Sequence, residues 1–344
     1  MEDMGGITLK QKKKQTVLAG VSLNTSKITQ LHNSLVNSDY HNAVRYWLQA
    51  MLYKGTREKQ PGSTLIVGDS HAVYGVVEKY WENAINCSVE SQDLFYDFLC
   101  IKEVIEKAPL ETFSRCIMIC GYYVPYQDLS LNTRIAAPMV NYVYYPIFNN
   151  PHHFAATRTD FWDVPGVIKT WESFSGREEN VPDPVRELVD KKMIKAYAEK
   201  GTYFGIMNRV IPAQQKGRLW GQLHHEEKTL FGLELANKIN DHLKYEQSLI
   251  ENKKIFQDII DLLYAKSITP IFVTPPFAKD FNVYIAKELK DSVGVLLDSV
   301  SQPVHYIDFN DSDLFSDMDF MDTNHLAPSG AEKFSASLAD LFGK

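Results

Sequence analysis

Thr64-Leu-Ile-Val-Gly-Asp-Ser-His71 is the stretch on which the fold turns. Thr64 to Val67 is an apolar, β-prone run that predicts a strand. Gly68-Asp69-Ser70 follows as a tight turn, and His71 to about Asn83 reads as a helix. That order places Ser70 at a helix N-terminus, where unpaired backbone N–H groups and the helix dipole favour negative charge. The Ser70 hydroxyl then sits on the rim of a sheet, and its own N–H can help stabilise an oxyanion formed on an attacked acyl carbonyl. Gly68 suits unusual backbone angles or a close approach, and Asp69 can cap the helix.

The pattern repeats outward from this unit. Ile85 to Val89 reads as a strand, Leu94 to Ala108 as a helix, and Arg115 to Cys120 as a third strand. Much later, Glu251 to Lys266 is a strongly amphipathic helix, and Thr269 to Thr274 is a strand stopped by Pro275-Pro276. Phe281 to Leu297 is mainly helical and Val304 to Phe309 is the last strand. Alternation of this kind predicts a three-layer α/β/α architecture with a mostly parallel central sheet. Sites on such sheets lie at the carboxyl ends of the strands, so Ser70, Gly121 and Pro275 are expected to share one rim.

A second segment, Asp322-Thr-Asn-His-Leu326, follows the last strand. Asp322 precedes His325 by three residues, which lets both side chains fall on the same side of one helical turn. The imidazole can act as general base toward Ser70 while the carboxylate holds its tautomer and stabilises the imidazolium. Ser70, His325 and Asp322 are therefore the candidate catalytic residues. Ala331 to Leu341, with apolar residues at helical intervals, predicts a terminal helix behind the His325 loop.

The chain has 344 residues, 44% hydrophobic and 23% charged, proportions of a globular protein large enough for an α/β domain with an insertion. A net charge of −7 argues against general nucleic-acid binding, and the basic run Lys10 to Lys14 reads as a solvated tail. No apolar stretch approaches the roughly 20 residues needed to span a bilayer. Thr16 to Leu23 is too short and interrupted for a signal peptide, so the expectation is a cytoplasmic protein, or an extracytoplasmic one if an upstream anchor precedes it. Cys87, Cys100, Cys116 and Cys120 show no zinc or disulfide spacing, and Cys116 and Cys120 share the parity of one strand as buried small hydrophobes.

Residues 1–60 read as an N-terminal helical extension, with Ile28, Leu31, Leu35, Ala43, Trp47 and Met51 on the buried side of a helix from Ser26 to Tyr53. Residues 61–344 form the α/β domain, interrupted at about 129–242 by a stretch too long for a structureless loop and expected to fold as a cap or subdomain. It is rich in aromatic residues, among them Tyr142, Tyr144, Tyr145, Phe148, Phe161, Trp162, Trp171, Tyr203, Phe204 and Trp220. Most of these are expected to form the subdomain's own core; on a cap they would stack on sugar rings or shield an acyl group. The doublets His152-His153 and His224-His225 read as surface or hydrogen-bonding histidines, because adjacent residues rarely face one ion and no carboxylate spacing completes a site.

The two quoted segments together resemble the first and last conserved blocks of the SGNH/GDSL hydrolase superfamily, a GDS-type serine after the first strand and an Asp-x-x-His near the C-terminus. The resemblance implies esterase, lipase, deacetylase or acyltransferase chemistry on a three-layer fold. It rests on specific residues only at Gly68-Asp69-Ser70 and at Asp322 to His325. Members usually place a Gly-x-Asn-Asp block after the third core strand, its asparagine donating to the oxyanion; here the position reads Gly121-Tyr122-Tyr123-Val124. Gly121 N–H and Ser70 N–H remain donors, and the Tyr123 hydroxyl, or an asparagine such as Asn149, Asn150 or Asn252, stands in for the missing amide. Loss of one such donor costs about 3 kcal/mol of transition-state stabilisation. Asp69, His71, Tyr122 and Pro275 are candidate substrate contacts.

The large aromatic insertion and the Thr274-Pro-Pro276 strand end are more similar to superfamily branches acting on cell-surface polymers, such as polysaccharide O-acetyltransferases, than to small lipases. The expected function is thus a serine-dependent esterase or O-acyltransferase for an acylated, mainly acetylated, carbohydrate or cell-surface polymer. It needs no metal or organic cofactor, and its partners are a small-molecule or glycan ester and membrane-associated biosynthetic proteins. The alternative is a binding or scaffold protein that keeps the fold with weak or no catalysis.

Overall fold

The computed structural model describes residues 16–18, 21–23, 40–81, 83–133, 136–154 and 212–342. Five strands form one parallel sheet: β3 (Ser63–Gly68), β4 (Ala84–Asn86), β5 (Phe113–Ile119), β6 (Thr269–Thr274) and β7 (His305–Asp308), in the spatial order β4-β3-β5-β6-β7. A separate antiparallel pair, β1 (Thr16–Leu18) and β2 (Val21–Leu23), lies in the segment read as a helical extension. Its strands flank Ala19-Gly20, and β-branched residues on either side of a short glycine-containing link favour a hairpin over a helix.

Side-chain alternation along the strands makes the fold three-layered. Leu65, Val67, Cys116, Met118 and Phe272 face a core shared with α1 (Tyr40–Gly55), α3 (Leu94–Lys107), α6 (Glu246–Ala265) and α7 (Lys287–Leu297). Ile66, Ile117, Ile119, Ile271 and Val273 face the other way, onto α2 (Ser70–Gly75) and α8 (Pro328–Phe342) through Ala72, Ala331, Phe334 and Leu338. Strands covered on both faces can be apolar throughout, which is why β3 reads as a run rather than an alternation. All four cysteines are buried, and Cys116 and Cys120 lie in the same core as α3.

The helix read from His71 to Asn83 is much shorter. It ends at Gly75, and Val76 is already extended. The terminal helix decides this: Ser335 Oγ donates to Gly75 O at 2.9 Å and accepts from Val77 N at 2.7 Å, drawing the chain off the helical path. Phe334 packs so closely that a Cβ on Gly75 would meet its ring at 3.1 Å. In the opposite sense, α6 begins at Glu246, five residues before its apolar periodicity becomes strong.

Within the expected insertion, residues 136–148 are helical, with a wider π-type turn at Val140–Tyr144. Met139, Val140, Val143 and Tyr144 join the α3 side of the main core, and Tyr144 stacks on Tyr96 at 3.8 Å. Trp220 is fully buried in the α8-side core, and Tyr145 is exposed. Helix α5 (His225–Asn240) packs against Lys279–Asn282, where the backbone carbonyl of Asp280 leaves no room for a side chain at Gly232. Phe161, Trp162, Trp171, Tyr203 and Phe204 lie outside the described residues, as do Ile28, Leu31, Leu35 and the Lys10 to Lys14 run. Among the described residues, no helix is long and apolar enough to cross a membrane.

Candidate active site

Ser70 is the first residue of α2, directly after β3. The turn before it depends on Gly68, whose φ of +141° is unfavourable for any side chain and whose Cβ would lie 2.1 Å from Ile119 O. Only glycine lets β3 run this close to β5 and then swing the serine onto the rim. Asp69 caps the helix, its Oδ1 accepting from His71 N at 2.9 Å.

The other half of the rim is a self-organised loop. Asp322 Oδ1 accepts from the backbone N–H groups of Asn324 at 3.0 Å and His325 at 2.8 Å. That leaves Oδ2 free to face His325 Nδ1 at 2.9 Å. Ala278 N donates to Thr323 O at 3.0 Å, fastening the loop to the chain leaving β6, and Met321 N donates to His325 O at 2.8 Å. The result brings His325 Nε2 to 2.9 Å from Ser70 Oγ, across 255 residues of sequence. Ser70, His325 and Asp322 therefore form one continuous hydrogen-bonded line, with the imidazole side chain 20% exposed and the carboxylate 11%.

Electrostatics suit proton transfer along that line. Burial alone would push the His325 pKa down, but the charge and hydrogen bond of Asp322 outweigh it, aided by Asp69 and Glu90, and the net shift is upward. Burial likewise works against the Asp322 carboxylate, and His325 together with the two backbone donors holds its pKa below the ordinary carboxylate value. Tyr74 presents its ring to the His325 edge at 5.0 Å, and its hydroxyl donates to Glu90.

A second imidazole–carboxylate pair runs beside the first. Asp69 Oδ1 accepts from His71 Nδ1 at 2.7 Å, and Asp69 Oδ2 accepts from the Tyr123 hydroxyl at 2.8 Å. With its proton on Nδ1, His71 offers Nε2 as acceptor to Asn324 Nδ2 at 3.1 Å. The His71 ring lies 5.4 Å from the His325 ring, nearly parallel, and 5.2 Å from Phe277. Asp69 is fully buried, yet the charge and hydrogen bonds of His71, with Tyr123, overcome that burial and lower its pKa.

The Tyr123 hydroxyl is directed to Asp69, and its ring lies over Gly121, where a Cβ would meet Tyr123 Cε1 at 2.7 Å. Among the described residues, no hydrogen bond takes up the backbone N–H of Ser70 or Gly121. Tyr122 reaches across the sheet to donate to Asp308 Oδ2 at 2.5 Å. Pro275 is buried, its carbonyl accepting from Asn310 Nδ2 at 2.8 Å. Asn252 is committed elsewhere, its Nδ2 donating to the carbonyls of Val124, Pro125 and Gln127 at 3.3, 3.1 and 2.8 Å. Asn150 Oδ1 accepts from His152 N at 2.9 Å, and Asn149 ends a helix in the left-handed region. Asn324 is the rim residue that reading the sequence passed over. Its signal was present in Asp322-Thr-Asn-His325, but only the fold reveals that its amide faces His71.

No family model matches this chain, and no curated protein matches it. A solved structure described as "a putative platelet activating factor from Streptococcus pneumonia" aligns with 93% of this chain and 99% of its own at 11% identity and a TM-score of 0.37. That likeness is too low to carry any argument about this protein.

Proposed function

We propose that the chain is a serine-dependent esterase or O-acyltransferase of the SGNH/GDSL type, acting on a small-acyl, mainly acetyl, ester of a carbohydrate or cell-surface polymer. The observation that carries the reading is the 2.9 Å approach of His325 Nε2 to Ser70 Oγ with Asp322 on the far side of the ring. In this mechanism Ser70 Oγ attacks the acyl carbonyl as its proton passes to His325 Nε2. The tetrahedral oxyanion is received by the backbone N–H groups of Ser70 and Gly121. Collapse expels the alcohol, which takes the proton back from His325, and leaves an acyl group on Ser70 Oγ. Water, or a second hydroxyl activated by the same imidazole, then attacks the acyl-enzyme and regenerates the serine. Asp322 stays ionised throughout and holds the Nδ1–H tautomer.

A binding or scaffold role for the same fold is favoured by one feature, the engagement of the Tyr123 hydroxyl by Asp69, which removes it as a substitute for the missing asparagine donor. Intact-mass analysis after exposure to a fluorophosphonate probe separates the two readings without a known substrate. The serine mechanism expects one adduct on the native chain and none on Ser70→Ala. Equal labelling of both chains, or no labelling of the native chain, would overturn it.

A further inference from the structure

Where the chain after β5 meets α6, Asp128, His152, His153 and Glu251 converge until one donor atom of each lies within 4.8 Å of all the others. Asp128 caps α4 (Leu129–Asn132), its Oδ1 accepting from Ser130 N and Leu131 N. Glu251 lies in α6, and the two histidines occupy a turn after residues 136–148. The imidazoles are stacked, ring centroids 4.0 Å apart and planes 27° from parallel, with one carboxylate at each edge. On the Glu251 edge, His152 Nε2 is 3.3 Å from Oε1 and His153 Nε2 is 3.4 Å from Oε2. On the Asp128 edge, His153 Nδ1 is 2.6 Å from Oδ2 and His152 Nδ1 is 3.8 Å from Oδ1.

We infer that His152 Nε2, His153 Nε2 and the Glu251 carboxylate bind one divalent ion of the zinc class, with Asp128 behind both rings and orienting His153 through its Nδ1. The two nitrogen-to-carboxylate separations, 3.3 and 3.4 Å, match the edge of a tetrahedron whose metal bonds are ~2.0–2.1 Å. Carboxylate contact at the other ring nitrogen is the usual outer support of a metal-bound imidazole, since it fixes tautomer and ring plane. The charges agree: two carboxylates face two imidazoles with no lysine or arginine ion-paired to them among the described residues, and a divalent ion balances them. Two imidazoles with a carboxylate suit zinc and its late first-row neighbours better than magnesium or calcium, which prefer all-oxygen shells.

A separate observation points the same way. His152 Nδ1 is buried without a hydrogen-bond partner, on a side chain only 8% exposed. A buried polar atom left unpaired is costly. An ion on Nε2 places the ring proton on Nδ1, where it faces the Asp128 carboxylate across 3.8 Å, a favourable charge contact longer than a hydrogen bond. The site is also rigidly built. Phe95 stacks on the His152 ring at 3.8 Å and 4°, Ser130 Oγ donates to Pro151 O at 3.2 Å, and Asn252, next to Glu251, grips three carbonyls just before Asp128. Entry is open, because His153 and Glu251 are 39% and 38% exposed, and three protein ligands leave a fourth position for water.

Zinc titration of the chelator-treated full chain by calorimetry, with elemental analysis after gel filtration, tests the inference. One equivalent is expected to bind and remain through the column. His153→Ala and Glu251→Gln, both at partly exposed positions, should each lose it while keeping the native circular dichroism and native Ser70 labelling. Asp128→Asn should weaken binding about 10–100-fold. Cobalt substituted for zinc should give the intense visible bands of a tetrahedral site, absent in the same two variants. No stoichiometric uptake, or uptake unchanged in both folded variants, would overturn the site and leave a metal-free histidine–carboxylate network.

Discussion

At the Ser70 rim, Asp322 reaches His325 three positions along one loop, whereas in the His152–His153 cluster the carboxylates arrive from 25 and 99 residues away. Both regions pair imidazoles with acids, but they are held in different ways. The Asp322 carboxylate organises its own loop by accepting two backbone N–H groups, so the Asp–His geometry survives as long as those few residues do. The cluster has no such autonomy. It exists because Asn252 fixes α6 against the 124–127 chain and Ser130 fixes the histidine turn, so its geometry is a product of packing. A local motif advertises itself in sequence, and a packed one does not.

Matched substitutions at Asp322 and Asp128 separate the two regions. Asp322→Asn should slow fluorophosphonate labelling of Ser70 by about 10⁴-fold through the wrong imidazole tautomer. Asp128→Asn should leave that rate unchanged. Comparable losses in both would mean that the two regions act as one.

Next in size is a backbone dependence that the cluster lacks. Gly68→Ala would force a Cβ to within 2.1 Å of Ile119 O at a φ of +141°. Urea unfolding should show a loss of about 3 kcal/mol or more, with labelling reduced because Ser70 is displaced. Wild-type stability in that variant would refute the account of how β3 delivers the serine.

The smallest effect is on pH dependence. Only neutral His325 accepts the Ser70 proton, and Asp322 raises the His325 pKa above its ordinary 6.5. Labelling should therefore rise with pH through a midpoint above 6.5, and Asp322→Asn should move that midpoint down. The stability linkage has the opposite sign for the two partners. The His325 contribution is complete below 6.5 and lost as pH rises through its raised folded pKa; the Asp322 contribution is present above 3.8 and lost as pH falls through its lowered one. A labelling midpoint at or below 6.5 would contradict the geometry.

Much of the fold was legible because its signals are local. The apolar runs at Thr64, Arg115 and Thr269 became β3, β5 and β6, and Gly68-Asp69 supplied the turn and cap that the sequence implied. The failures have tertiary causes. The helix after Ser70 stops at Gly75 because Ser335, 260 residues on, takes its last carbonyl. The Tyr123 hydroxyl, read as a free donor, is held by Asp69 from another strand end. The His152-His153 doublet, read as hydrogen-bonding histidines, does hydrogen-bond, but to Asp128 and Glu251, which no sequence spacing tied to it.

The alternation that makes a parallel sheet, the glycine turn under Ser70 and the Asp322-x-x-His325 loop were written in the chain's local order, since each is set by backbone angles and hydrogen bonds among near neighbours. That His325 meets Ser70, that Asn324 faces His71, and that two distant carboxylates enclose the histidine doublet came from packing. Those contacts depend on how helices and strand ends pack, a relation that no short stretch of residues encodes.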